Sequence, residues 1–203
     1  MSGTVAGPYD MAVKSATERT PVIDNATLAM VIVLAGEIMF FTGMISAFLV
    51  SRAGFPVWPP PDQPRLAPAS TALNTVILLL SGPTMLLAAR AVSGEKRRAA
   101  RLWLWGTLLL GSTFVALQGV EWTRLISYGL TSTSSLYGAF FYMIVGAHAV
   151  HALVGLVVIG AAAAFGIRRP SQIARQRFVR VAAIYWIFVV ALWPILYVCV
   201  YIL

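Results

Sequence analysis

One cysteine and two histidines in 203 residues leave this chain almost without metal-binding or redox side chains. The single Cys199 rules out an intrachain disulfide and any multi-cysteine metal site, and it leaves the redox compartment undetermined. Charge is equally scarce: 11% of residues are Asp, Glu, Lys or Arg against 59% hydrophobic, with a mean hydropathy of +0.82. A soluble domain of this length needs far more polar surface. Acidic residues number seven, and the formal charge is +8. That excess does not mark a nucleic-acid binder, because the basic residues form no tract with interleaved aromatics. They sit between apolar runs, as charges that set membrane orientation do. A nucleotide-binding loop, a hydrolase triad, a zinc-protease helix, an internal repeat and a low-complexity tract are also missing. So are the alternating segments of about ten residues that build a membrane β-barrel. Residues 1–27 are polar and of mixed charge, without the short apolar core of a signal peptide. The first apolar run is therefore expected to remain as a permanent span.

What the chain does have is long apolar runs, over residues 28–50, 70–92, 102–121, 138–165 and 179–203. A bilayer-crossing helix takes about 20 such residues. The first run, LAMVIVLAGEIMFFTGMISAFLV, has 23, about 34 Å of helix. The expected fold class is all-α: a polytopic bundle of five transmembrane helices spanning 28–203, preceded by a cytoplasmic segment 1–27. Charge orients it. The N-terminus and the second and fourth loops share one side, which holds Lys14, Arg19, Arg90, Lys96, Arg97, Arg98, Arg101, Arg168, Arg169, Arg175, Arg177 and Arg180. The other side holds Arg52, Arg65 and Arg124. The positive-inside rule then puts the N-terminus in the cytoplasm and the C-terminus outside. The proline-dense first outer loop, from Ser51 to Pro68, reads as a stiff, extended cap. Trp103 and Trp105 fall at the inner interface, Trp58 and Trp122 at the outer one. Pro83 and Pro194 lie inside spans and are expected to kink them.

Ionisable residues inside a membrane cost about 3 kcal/mol each on insertion scales, so each one needs an account. Glu37 lies ten residues into the first run, and its neighbours three and four positions away are Val33, Leu34, Phe40 and Phe41. It has no partner on its own helix. In hydrocarbon a carboxylic acid is cheaper than a carboxylate, which leaves two readings: a proton-exchanging group, or a protonated acid hydrogen-bonded across a helix interface, the plainer of the two. His148 and His151 lie one turn apart in the fourth run, on one helical face. A di-metal site wants Glu-x-x-His pairs on two helices, and a bis-histidine haem wants rings from opposite sides. A hydrogen bond to a neighbouring helix or to a lipid headgroup is the favoured role. Gln118 and Glu121 end the third run at the outer interface, where Glu121 reads as an ordinary interfacial carboxylate. Asn74 and Ser81, seven residues apart, share a face of the second run and read as interhelical hydrogen-bonding groups. Gly138, Gly146 and Gly155 suit close helix packing, and the aromatic run Tyr137, Phe140, Phe141 and Tyr142 reads as packing.

The order of short motifs resembles cytochrome c oxidase subunit III. GEIMFF (Gly36 to Phe41) is similar to the family's acid-then-aromatic motif, with Glu37 in place of its buried carboxylate. Trp58-Pro59-Pro60, Leu73-Asn74-Thr75 and Ser81-Gly82 follow, then Gln118-Gly119-Val120-Glu121-Trp122. The fourth run carries Tyr137-Gly138, Phe140-Phe141 and Gly146-x-His148-x-x-His151-x-x-x-Gly155, and the last Tyr185-Trp186, Trp193 and Tyr197. Where the family commonly has His after the Trp of the last span and Asp three residues later, this chain has Ile187 and Val190. The resemblance is to the short, five-helix bacterial form. It implies a supporting subunit of an aa3-type oxidase that binds no redox cofactor itself, haem a and copper belonging to partner subunits. It further implies packing on subunit I, contact with subunit II and small subunits, bound phospholipid, support of proton uptake, and residence in a bacterial plasma membrane. A place in a larger respiratory supercomplex stays open. Glu37 would be the interior acid, and Asn74, Ser81, Gln118, Glu121, His148, His151, Trp58 and Trp186 would make interhelical, lipid or subunit contacts. Similar chains accompany quinol oxidases and nitric-oxide reductases, which leaves those partners as alternatives. A stand-alone proton-coupled transporter built around Glu37 is a third reading, opposed by the lack of paired halves.

Overall fold

In a computed structural model, residues 24–60, 63–64, 66 and 68–203 are described; Lys14, Arg19 and Arg65 lie outside the described residues. Five helices among them are long and apolar enough to cross a membrane. They are α1 (Asn25–Ala53), α2 (Pro68–Ser93), α3 (Arg97–Ser127), α4 (Leu136–Ala164) and α5 (Gln172–Tyr197). A short 3-10 turn follows α4 at Gly166–Arg168, and a π-helical turn, Val198–Ile202, continues α5. The chain is thus a multi-pass, all-helical membrane protein, and no strand occurs among the described residues.

Every helix starts before its apolar run, and the first three also end beyond theirs. The longest is α3, with 31 residues, starting at Arg97 and ending six residues past Glu121. Arginine and glutamate are good helix formers, so a charge ends an apolar run without ending a helix. Polar caps do end them. The Asp24 carboxylate accepts from Thr27 N at 2.8 Å, Ser135 Oγ from Gly138 N at 3.0 Å and Ser171 Oγ from Ala174 N at 3.4 Å, each satisfying an orphan donor of a first turn. At the far end of α3, Gly129 takes φ +87° and Leu130 N bonds Leu125 O at 2.9 Å, closing the helix with a left-handed turn. α2 and α5 run on through Pro83 and Pro194.

α2, α3, α4 and α5 pack as a ring, α2 against α3 and α5, α4 against α3 and α5; α1 lies outside it on α5 and α4. The burial of each helix follows from that position: half of the apolar stretch of the last span is buried (50%), against 11% for α1. Two tryptophans on one face of α5 fill the middle. Trp186 is 0% exposed; a Cβ on Gly111 of α3 would lie 2.8 Å from its ring, and one on Gly155 of α4 2.7 Å. Only glycine leaves room for the indole there, and its Nε1 donates to Ser81 Oγ of α2 at 3.0 Å. Seven residues on, Trp193 Nε1 donates to Thr75 Oγ1 at 2.8 Å, with the Phe114 ring 4.9 Å away. Gly138 also lies tight, but against its own loop, where a Cβ would meet Thr131 O at 2.2 Å.

The basic end departs from the expectation of plain loop charges. Arg175, Arg177 and Arg180 belong to α5, and Arg175 is 4% exposed. Its Nη1 donates to the carbonyls of Arg169 and Pro170 at 2.7 and 3.0 Å, and its Nη2 to Gln172 Oε1. Gln172 Nε2 in turn donates to Val92 O at 3.0 Å, fastening the α4–α5 turn to the end of α2.

Candidate functional site

Halfway along α1, Glu37 faces α4. Its Oε2 lies 2.8 Å from His151 Nε2, and the two side chains are 27% and 17% exposed. His151 Nδ1 stands 2.7 Å from Ala147 O. A carbonyl only accepts, so Nδ1 carries a hydrogen. Nε2 then meets Glu37 in one of two ways: a carboxylic acid donating O–H to a neutral ring, or an imidazolium donating N–H to a carboxylate. Either arrangement holds one proton between the two groups and carries no net charge, the inexpensive state in hydrocarbon. The Phe41 ring stands edge-on to the imidazole, centroids 5.2 Å apart, and Tyr185 O–H donates to His151 O at 3.2 Å.

His148, one turn earlier, takes a different interface. The three-residue offset turns its ring to α3 and α5, 6.3 Å from Phe114 and 4.9 Å from Trp193 between centroids. It is 1% exposed, and neither ring nitrogen has a hydrogen-bond partner among the described residues. It lines a cavity of about 130 Å³ between α3 and α4 with Trp122, whose Nε1 is likewise unpartnered.

A second polar constellation ties α2, α3 and the C-terminal turn. Asn74 Nδ2 donates to Phe114 O at 3.2 Å and to Gln118 Oε1 at 3.3 Å; Gln118 Nε2 donates to Tyr201 O–H at 2.9 Å. Thr84 and Thr107 hydroxyls meet at 2.9 Å one level closer to the basic end. Glu121 has Ser70 Oγ 3.5 Å away and borders a cavity of about 180 Å³ with Arg124. Trp58 folds back among Phe48, Phe55 and Tyr137, with ring centroids 5.7, 5.7 and 5.4 Å away. Ile187 and Val190 pack as apolar groups at Gly82 of α2, 3.6 Å from the position its Cβ would take.

The structure thus joins Glu37 with His151, Asn74 with Gln118, and Ser81 with Trp186; Glu121 shares a cavity with Asn74 and Gln118, His148 borders one with Gln118, and Trp58 stands in a separate aromatic cluster. Sequence reasoning missed Thr75, Tyr201, Gly111 and Arg175 as contributors. For Thr75 there was a signal: Thr71, Asn74, Thr75 and Ser81 recur at helical spacing on an otherwise apolar helix, and all four are buried.

These features define an integral membrane protein of five spans whose embedded polar groups tie its own helices together. Among the described residues no three His, Cys, Asp or Glu side chains come together as a metal would need. The family model described as cytochrome c oxidase subunit III matches residues 9–203, and the chain belongs to that family. It is similar to cytochrome c oxidase subunit 3 of Synechocystis, 30% identical over 182 residues that cover 89% of this chain and 76% of the relative. The Thermostichus vulcanus subunit 3 is 31% identical over 182 residues, 89% of this chain and 88% of the relative. A probable cytochrome c oxidase subunit 3 of Mycobacterium leprae is 30% identical over 202 residues, 99% and 98% of the two chains.

Proposed function

We propose that this chain is the non-redox, supporting subunit III of an aa3-type cytochrome c oxidase in a bacterial plasma membrane. It packs on subunit I beside subunit II, holds phospholipid, and helps sustain proton delivery to a catalytic subunit that carries haem a and copper. Membership of the subunit III family supports a place in a haem–copper oxidase complex. The observation that carries the finer reading is the Glu37–His151 pair. It sits at mid-span on the outermost helix, incompletely covered by its own chain. Even without net charge, the part of this polar pair left open by its own chain is better covered by protein than by lipid; a neighbouring subunit seated on α1 would cover it and have a proton-holding group at the contact. The two histidines point into different interfaces, which supports a role without bound metal. His148 with Trp122, and Glu121 with Arg124, border the grooves open to lipid or a partner.

The test is a mild-detergent pull-down of the chain with an optical spectrum of what accompanies it. Co-purified a-type haem and copper with cytochrome c oxidation is the expected result. Only b-type haem would transfer the chain to a quinol oxidase or nitric-oxide reductase. A colourless protein without partners would overturn the reading. Complex prepared without this chain should keep its haem spectrum and lose activity sooner during turnover.

A further inference from the structure

Trp122 lies near the outer end of α3, where an indole normally turns its N–H to water or a headgroup. Here it packs on α4 instead. Its ring stands 5.8 Å from that of Tyr142 between centroids, and 3.8 Å from the position a Cβ on Gly146 would take. Its Nε1 is buried with no hydrogen-bond partner among the described residues. His148, 1% exposed, has two more such atoms, and both side chains line the same cavity of about 130 Å³. Three of the five buried, unpartnered side-chain polar atoms of the described residues therefore belong to the walls of one space.

These atoms specify what they lack. Trp122 Nε1–H only donates, and a neutral imidazole donates from one nitrogen and accepts at the other. The missing partner brings acceptor oxygens. Most of the remaining wall is apolar, with Phe114, Val115 and Val145 among it. Gly119 and Leu153, which also line the cavity, are exposed within the spans of α3 and α4, so it opens sideways toward hydrocarbon. A ligand entering there is soluble in lipid. An acyl chain would fill the space and leave all three nitrogens unpaired. Water would pair them and leave the apolar walls wet.

Size narrows the choice further. An apolar cavity of about 150 Å³ holds benzene, so this one, at about 130 Å³, takes a single six-membered ring. We propose that the cavity binds the head of a lipid-soluble benzoquinone. Its carbonyl oxygens accept from Trp122 Nε1–H and from the protonated nitrogen of His148; in the quinol form an O–H donates to the bare nitrogen. Apolar walls with a few placed polar groups are the usual make-up of a small-molecule site. The chain holds the quinone and transfers no electron to it. The inference does not rest on the oxidase reading, since a chain without oxidase partners would keep the same cavity.

The test is native mass spectrometry of the full chain in detergent, offered decyl-para-benzoquinone or decylbenzene. The two probes share a ring and a tail and differ in the oxygens. The chain carries Cys199→Ser throughout, so that no thiol adds to the ring. With the cavity intact, the quinone should be retained with about tenfold preference over decylbenzene, the worth of two modest hydrogen bonds. Trp122→Phe keeps an aromatic ring and removes the N–H, and should lower the preference to about threefold. His148→Leu should lower it as far. Trp105→Phe, on the same helix but outside the cavity, should leave it at tenfold. No preference with the cavity intact would mean that the nitrogens meet water only, and would overturn the proposal. A preference that neither Trp122→Phe nor His148→Leu lowers, or that Trp105→Phe lowers equally, would overturn the site. Should His148→Leu fail to fold, Trp122→Phe decides alone. Displacement of the quinone by an equal concentration of phosphatidylglycerol would give the cavity to an acyl chain and overturn the proposal.

Discussion

At the scale of single residues, the polar contacts that tie the bundle are pairs of residues far apart in the chain, while His148 and Trp122 stay unpartnered among the described residues. Glu37 stood out as an acid without a partner on its helix, and His151 as a mid-span imidazole; their meeting at 2.8 Å depends on α1 lying against α4, which no spacing along the chain encodes. The same holds for Ser81 and Trp186, 105 residues apart. Substitutions can separate the bond from the proton. Glu37→Gln keeps a donor for His151 Nε2 and should leave stability nearly unchanged in reversible unfolding from mixed micelles. Glu37→Leu leaves the imidazole unpaired and should cost about 1–3 kcal/mol; equal behaviour of the two variants would show that the contact contributes nothing. Trp186→Phe removes the indole N–H and part of the ring from the slot made by Gly111 and Gly155. A loss of about 1–3 kcal/mol is expected from the space alone. Comparison with Ser81→Ala and the double variant isolates the hydrogen bond, expected at about 0.6 kcal/mol as in other membrane helices.

At the scale of elements, all five helices were legible because their apolar runs are bilayer-long, and their ends were not. Arg97, Arg98 and Arg101 look like loop residues by hydropathy and are helical by propensity. Arg175 looks like an orientation charge, yet its planar head closes the turn it follows. α1 shows how little holds an outer helix: its buried residues are Phe41, Met44 and Phe48, and its start is held by Asp24 with Arg177 at 3.7 Å and Arg180 at 4.0 Å. The Thr27 backbone N–H, with Arg177 and the Ala26 N–H adding to it, holds the Asp24 carboxyl below its ordinary value of 3.8. A carboxyl lowered in the folded state stabilises it at pH above the unfolded value, and that contribution fades as pH falls through the folded one. Hydrogen exchange in the first turn of α1 should therefore be unchanged by this group from pH 7 to pH 5 and rise below pH 4. Asp24→Asn should abolish that pH step while retaining a capping oxygen.

For the whole molecule, the ring of α2 to α5 with α1 outside it puts the start of α1, the α2–α3 turn and the α4–α5 turn at one end. Charge counting assigns that end to the cytoplasm. Single cysteines in a Cys199→Ser background check it: Ser132→Cys should react with a membrane-impermeant maleimide in intact cells, and Ser93→Cys only after permeabilisation. The reverse pattern would invert the molecule. Packing on a partner subunit is an expectation from the resemblance alone, because a face that meets lipid and a face that meets another apolar helix have the same composition.

The outer helix also fixes an order of events during synthesis. α1 enters the membrane first, yet the residue that shares its proton, His151, is 114 positions further on. At 5–20 residues per second that is a wait on the order of ten seconds. Throughout it Glu37 must sit in the bilayer without this partner, on a helix apolar enough to stay inserted without companions. The Glu37–His151 contact can therefore form only after α4 has been made.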